Sequence, residues 1–307
     1  RAIPIACNMT FGKSRAMDMK AILMGFAFAA MWSSAFTSAR IIVEFAPPLT
    51  ALALRFLVSG AIGIFIAKLL GQTMALTRRQ WTGVVVFGIC QNALYLGMNF
   101  VAMQTIEASL AAIIASTMPL LVALAGWLFM GQRIRALGVA GLVAGVVGVT
   151  LIMGARLGGG VDPFGLILSI LGVISLTVAT LAVLGASSGG NVLMIVGLQM
   201  LVGSAVLWGP ALAFETLDVT WNWQLIVAFG YTTLVPGLLA TWVWFMLVGR
   251  IGMVKASTFH FLNPFLGVAI AAVLLGENLG PFDVLGVAII AGGILAVQLS
   301  KQPVTSR

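Results

Sequence analysis

One histidine and two cysteines, His260, Cys7 and Cys90, are the only imidazole or thiol side chains in the 307 residues. Three such groups are too few for a zinc, haem or iron–sulfur centre, so no metal or cofactor is expected. Ser257 and His260 stand three residues apart, but no oxyanion framework accompanies them and an enzyme is not expected. The remaining polar groups suit holding a small molecule rather than transforming it. Gln91, Tyr95 and Asn99 fall at i, i+4 and i+8, with Asn92 beside them. On an α-helix the first three share a face, which lines a wet cavity or hydrogen-bonds a neighbouring helix. Trp32, Ser33 and Ser34 offer an aromatic surface and two hydroxyls, for stacking on an aromatic solute or for packing. Trp244, His260 and Asn263 complete the candidate cavity; His260 either relays protons near neutral pH or packs as a hydrogen-bonded ring.

Arg55 is the one cation well inside an apolar segment. Such a charge is costly in lipid and must face protein or water. Its readings are a carboxylate anchor, an ion pair with Glu44, or a structural residue bonded to backbone carbonyls. Pro119 and Pro264 each free a backbone carbonyl mid-segment, as hinges or as static kinks.

The elements that must position these residues follow from hydropathy. The chain is 61% hydrophobic and 8% charged, with a mean hydropathy of +1.13. An ordinary soluble domain is about 25% charged, and a disordered chain is more polar still. About 20 apolar residues span a bilayer. Breaks at charged, Gly/Pro-rich or amide-rich positions leave ten such segments, at 20–42, 48–70, 81–102, 107–130, 135–154, 163–185, 191–213, 223–248, 253–275 and 281–299. The fold class is therefore an all-α polytopic membrane protein. Residues 1–18 read as a cytoplasmic segment, not a signal peptide, because their apolar run is too short.

With ten spans, thirteen of the sixteen cations fall on the side of the two termini. Arg40 and Arg156 fall on the other, and Arg55 lies within span two. Seven of the eight acids lie opposite the termini, all but Asp18. The net charge of +8 thus obeys the positive-inside rule, with both termini cytoplasmic, and does not point to nucleic acid. Trp81, Trp208, Trp221 and Trp223 lie near span ends, as interfacial anchors do.

The chain also matches itself. At an offset of 145 residues Pro119, Gly131, Gly141 and Gly148 fall on Pro264, Gly276, Gly286 and Gly293. Five spans per half is an odd number, so the second half enters the membrane inverted, the construction of many secondary transporters. The expected divisions are 1–18, a first repeat at 19–154, a linker at 155–162, a second repeat at 163–299 and a tail at 300–307. The two five-helix repeats are expected to surround a central cavity. Gly138, Gly141, Gly145 and Gly148 follow no strand, so they read as a close-packing face and not a phosphate loop.

Trp32-Ser33-Ser34, Leu54-Arg55-Phe56 and the run from Asn263-Pro264 to Leu275-Gly276-Glu277 resemble the drug/metabolite transporter superfamily, in its ten-span branch of two EamA repeats. The resemblance covers about 19–299 and is nearest to the bacterial aromatic amino-acid exporters of the YddG type. Gln132 departs from the pattern, where the family often carries Glu. The resemblance implies a basket of ten helices around a cavity and export across an inner membrane.

What is missing narrows the solute. No acid lies centrally in any span, and a desolvated cation without a carboxylate partner is expensive. Phosphorylated sugars would want several buried cations, and Arg55 stands alone. A neutral or zwitterionic amino acid, aromatic or large aliphatic, fits what remains. Another neutral metabolite, an importer or a channel is the alternative. The expected partners are that small solute and the lipid bilayer, and the sequence leaves oligomeric state open, a monomer included.

Overall fold

The computed structural model describes residues 19–131, 133–158, 160–182 and 190–301. Gln132 and the segments 1–18 and 302–307 lie outside them, and so do the readings made there. Among the described residues ten helices are long and apolar enough to cross a membrane: α1 (Met19–Phe45), α2 (Pro48–Leu69), α3 (Arg78–Ala102), α4 (Ala108–Met130), α5 (Ala136–Ala155), α6 (Pro163–Ala182), α7 (Val192–Phe214), α8 (Trp223–Ile251), α9 (Lys255–Leu275) and α10 (Pro281–Ser300). They match the ten expected segments to within three residues. Large apolar side chains such as Phe129, Phe214 and Val273 project from the bundle. A bilayer, rather than water, suits that surface.

Four helices are irregular, in repeat-related pairs. Helix α3 carries a π-helical stretch at Gly88–Tyr95, and α8 carries one at Val235–Leu239. Helix α4 breaks between Ala108–Ser116 and Met118–Met130. Helix α9 passes through a 3-10 turn at Phe259–Leu262 before Asn263–Leu275. Pro119 and Pro264 each stand at the start of the segment after the break. There a missing N–H costs nothing, since the first turn of a helix has no internal partner for it. The bend therefore lies just before each proline.

Helix pairing follows the same exchange of halves. Helix α5 packs on α10, α2 on α7 and α4 on α9, each with its counterpart. The contact of α1 with α8 is matched by that of α6 with α3. In the α5–α10 seam, a Cβ at Gly141 would lie 2.6 Å from the Gly293 carbonyl, and one at Gly293 would lie 2.6 Å from that of Gly141. One helical stretch further on, Gly148 and Gly286 stand in the same relation, each Cβ 2.9 Å from the other carbonyl. Rising numbers in one helix meet falling numbers in the other, so α5 and α10 run antiparallel. Helices α2 and α7 do the same, with Gly60 against Gly197 and Ser204 Oγ donating to the Ala53 carbonyl at 2.8 Å. Only glycine lets the backbones this close. The glycines of span five are thus a packing face in the structure.

Acids gather at one end of the bundle and close it. Glu215 accepts from the Leu49 and Thr50 amides at 2.7 and 2.8 Å and from the Thr50 hydroxyl at 2.7 Å. Glu277 accepts from the Ala108 and Ser109 amides at 2.8 and 2.9 Å. These amides are the unsatisfied donors at the starts of α2 and α4, where a negative charge is favoured. Asp162 accepts from Thr105 Oγ1 and the Gly165 amide at 2.7 and 2.8 Å. The Thr105 hydroxyl first, then the Gly165 amide, holds its carboxyl below the usual value.

Candidate functional site

Helices α1, α3, α4, α6 and α9 enclose a small cavity midway along the bundle. Trp32, Ser33, Tyr95, Pro119, His260 and Asn263 line it, together with Phe36, Ala115, Ser116, Met118 and Leu176. Its volume is about 20 Å³, room for roughly one water. Apolar packing flanks it on both sides. Towards the basic end Ala21, Leu247, Ile251, Ala256 and Phe259 form one cluster. Towards the acidic end Phe36, Ile42, Met103, Ile106 and Leu110 belong to the main core.

The polar groups around the cavity tie α1 to its neighbours. Ser33 Oγ donates to the Asn263 carbonyl at 3.3 Å. Asn263 and His260 Nδ1 are 3.0 Å apart, yet Asn263 Oδ1 is buried without a partner. An orphaned buried acceptor costs about 1–3 kcal/mol until a donor arrives. The His260 ring meets Phe28 edge-on at 5.5 Å and Trp244 at 5.2 Å, and Phe28 lies 5.7 Å from Trp32. Among the described residues no carboxylate stands beside the imidazole, which is held by this packing and by its hydrogen bond to Asn263.

Six of the candidate residues therefore meet at one cavity, and the others do not. The polar stripe of span three is split. Its π-helical turns are wider than α-helical ones and displace the expected faces. Tyr95 alone of the four lines the cavity. Asn92 is buried against Gly203 of α7 and Asn99 against Gly172 of α6, where Asn99 Nδ2 donates to the Tyr95 carbonyl at 2.9 Å. Gln91 is half-buried and absent from the lining. Ser34 turns towards α8, its Oγ 2.7 Å from Tyr231 Oη. Trp244 stands against the His260 ring and does not itself reach the wall of this cavity. Spans four and six supply wall residues beside those of spans one, three and nine.

Arg55 is 5% exposed, and among the described residues it is bonded neither to Glu44 nor to a backbone carbonyl. Glu44 pairs with Arg40 at 3.5 Å instead, leaving Arg55 Nε buried and unpartnered. Arg40 itself donates to the Met103 carbonyl.

Phe36, Ala115, Met118 and Leu176 were missed because apolar wall residues carry no signal that separates them from core. Tyr231 was missed as well; its place opposite Ser34 depends on the path of α8.

The model of the EamA-like transporter family matches the chain twice, at residues 19–154 and 163–299. The chain belongs to that family. This EamA chain is 24% identical to the uncharacterized transporter YvbV of Bacillus subtilis over 92% of each chain. It is 28% identical to the uncharacterized inner membrane transporter YedA of Escherichia coli K12 over 90% of each. Over 45% of its length it is 32% identical to the aromatic amino acid exporter YddG of Ancylobacter novellus, covering 48% of that protein. A solved crystal structure at 21% identity shares the fold, with a TM-score of 0.64 over 91% of this chain and 98% of that one. The EamA chain thus has a transporter family's fold across essentially all of its described helices.

Proposed function

We propose that the chain is a secondary carrier exporting aromatic and other large neutral amino acids across a bacterial inner membrane by alternating access. Its termini lie in the cytoplasm, and residues 19–154 and 163–299 form inverted repeats that rock about the central cavity. The observation that carries the reading is that cavity, built where the two repeats meet. Trp32 and Tyr95 offer stacking surfaces, Asn263 Oδ1 awaits a donor, and no acid enters the wall to attract a bare cation. A solute ammonium can donate to Asn263 while its side chain lies against Trp32.

The antiparallel pairing of α5 with α10 and of α2 with α7 supports the inversion. Two equivalent halves of opposite orientation exchange conformations, and so open the cavity to each side in turn. A space of about 20 Å³ admits no amino acid, so the halves must separate for a solute to bind. Pro119 and Pro264, beside the breaks of α4 and α9, are the proposed hinges. One chain suffices to build the whole cavity, so a monomer can carry out the cycle. The partial likeness to an aromatic amino acid exporter favours this solute class over other neutral metabolites.

The test is counterflow in proteoliposomes, with labelled phenylalanine outside and unlabelled phenylalanine trapped within. Transient, saturable accumulation absent from empty vesicles is expected, with Trp32→Ala and Tyr95→Ala lowering it at least tenfold. No counterflow from folded protein overturns the amino-acid assignment, and non-saturating flux would mark a channel.

A further inference from the structure

We infer that Arg55 is an anion-binding group, part of a carboxylate site between α2 and the π-turn of α8. Among the described residues no hydrogen bond or ion pair reaches the guanidinium, and its contact is with the Phe56 ring, 5.2 Å from Cζ. The described acids are all committed elsewhere or lie at the bundle end. Glu44 holds Arg40, Glu215 and Glu277 hold helix amides, Asp162 holds Thr105 and Asp283 holds the Gly280 amide. Glu107 sits on Ser109, and Asp218 is exposed in the α7–α8 connection. Arg55 is seven residues into α2, about 10 Å from that end at 1.5 Å per residue. A fixed cation this deep without an internal counter-charge calls for an anion from outside the chain.

On the α8 side, the residue facing the guanidinium is a glycine. A Cβ at Gly237, inside the π-turn, would stand 3.2 Å from the Thr232 carbonyl, 3.5 Å from Ser59 Oγ and 3.7 Å from Arg55 Nη2. The guanidinium and a hydroxyl thus converge on a residue without a side chain. Ser59 is fully buried, and its bond to the Thr233 carbonyl is long, 3.3 Å, so its hydroxyl can turn to a ligand. A guanidinium fork beside a hydroxyl matches the two oxygens of a carboxylate. That the carboxylate is the transported solute's own rests on the carrier reading; a free monoanion has the same chemistry.

The experiment follows the melting temperature of the detergent-purified protein at constant ionic strength. One arm titrates formate against a bulky sulfonate, and another compares phenylalanine with phenethylamine, which lacks the carboxylate. Anything that binds only the folded state raises the melting temperature as its concentration rises. The wild type is expected to respond to phenylalanine and not to phenethylamine. Arg55→Met is expected to fold and to lose the response. Arg55→Lys keeps the charge but not the fork, and is expected to need about tenfold more ligand. Should the methionine variant not fold, Arg55→Lys and Gly237→Ala, which crowds the site without touching the charge, decide. A response to formate alone, abolished in the Arg55 variants, keeps the anion site and removes the solute as its source. No response to either carboxylate, or one undiminished in all three variants, overturns the site. Lost phenylalanine counterflow with an intact formate response would overturn the carrier reading alone.

Discussion

The two ends of the bundle solve the same problem with different chemistry. At the acidic end, carboxylates reach across from the second repeat to close the starts of α2 and α4, Glu215 on Leu49 and Thr50, Glu277 on Ala108 and Ser109. At the basic end the corresponding start of α7 is closed by one neutral amide, and a second ties α7 to the α2–α3 connection. Gln72 Oε1 accepts from the Met194 amide at 3.0 Å, and Asn191 Oδ1 accepts from the Thr73 amide at 3.0 Å. The glycine seams are symmetric, so backbone packing treats the two ends alike, and the difference lies in the staples. Hydrogen bonds to an ionised acceptor are roughly twice as strong as neutral ones. Two pseudo-equivalent ends thus acquire unequal grips, and in the proposed rocking cycle this favours closure at the acidic end.

The largest effect is expected from Glu215→Ala, which strands two backbone amides and a hydroxyl at the start of α2. The cost is about 2–3 kcal/mol, read as a lower melting temperature. A cysteine introduced at Ala39, buried in α1 on that side, should label faster in the same variant. Unchanged labelling would show that the staple stabilises the fold without gating it. Glu277→Gln is milder, because one neutral acceptor remains; about 1 kcal/mol is expected, with Ala39 labelling between wild type and the Glu215 variant.

Gln72→Ala removes a neutral acceptor at the basic end, for about 0.5–1 kcal/mol, and should slow Ala39 labelling. Faster labelling would break the comparison, since it would mean that the two ends do not compete. The smallest effect is that of Asp162, an exposed carboxyl. Its folded pKa lies below the ordinary 3.8. Its contribution is therefore complete above that value and lost as pH falls through the lower, folded one. Asp162→Asn should flatten the acid limb of the melting curve below pH 3.8 and slightly lower the melting temperature at neutral pH, where the carboxylate's contribution is complete.

Much of this asymmetry was legible in the sequence as a charge count, but its use was not. The segregation of seven acids from thirteen cations could be read directly. That Glu215 and Glu277 would cap helices of the opposite repeat could not, because each meets amides more than 160 residues away. In the candidate site, Trp32, Ser33, Tyr95, Pro119, His260 and Asn263 could be singled out as polar, aromatic or proline residues where lipid favours none. Gln91, Asn92 and Asn99 looked equally eligible. The π-turns that displace them have no signature in a helical wheel drawn at 3.6 residues per turn.

The sequence alone determined that the chain is helical and membrane-spanning, how many spans it has and where its halves correspond. Those properties are local or additive: a span needs only length and apolarity, and a repeat needs only matching prolines and glycines. The tertiary structure decided which faces meet, where the cavity lies and which charge is left without a partner. Each of those depends on the rotation of one irregular helix against another, and on whether Glu44 reaches Arg40 or Arg55. Such contacts are set by packing between helices distant in the chain.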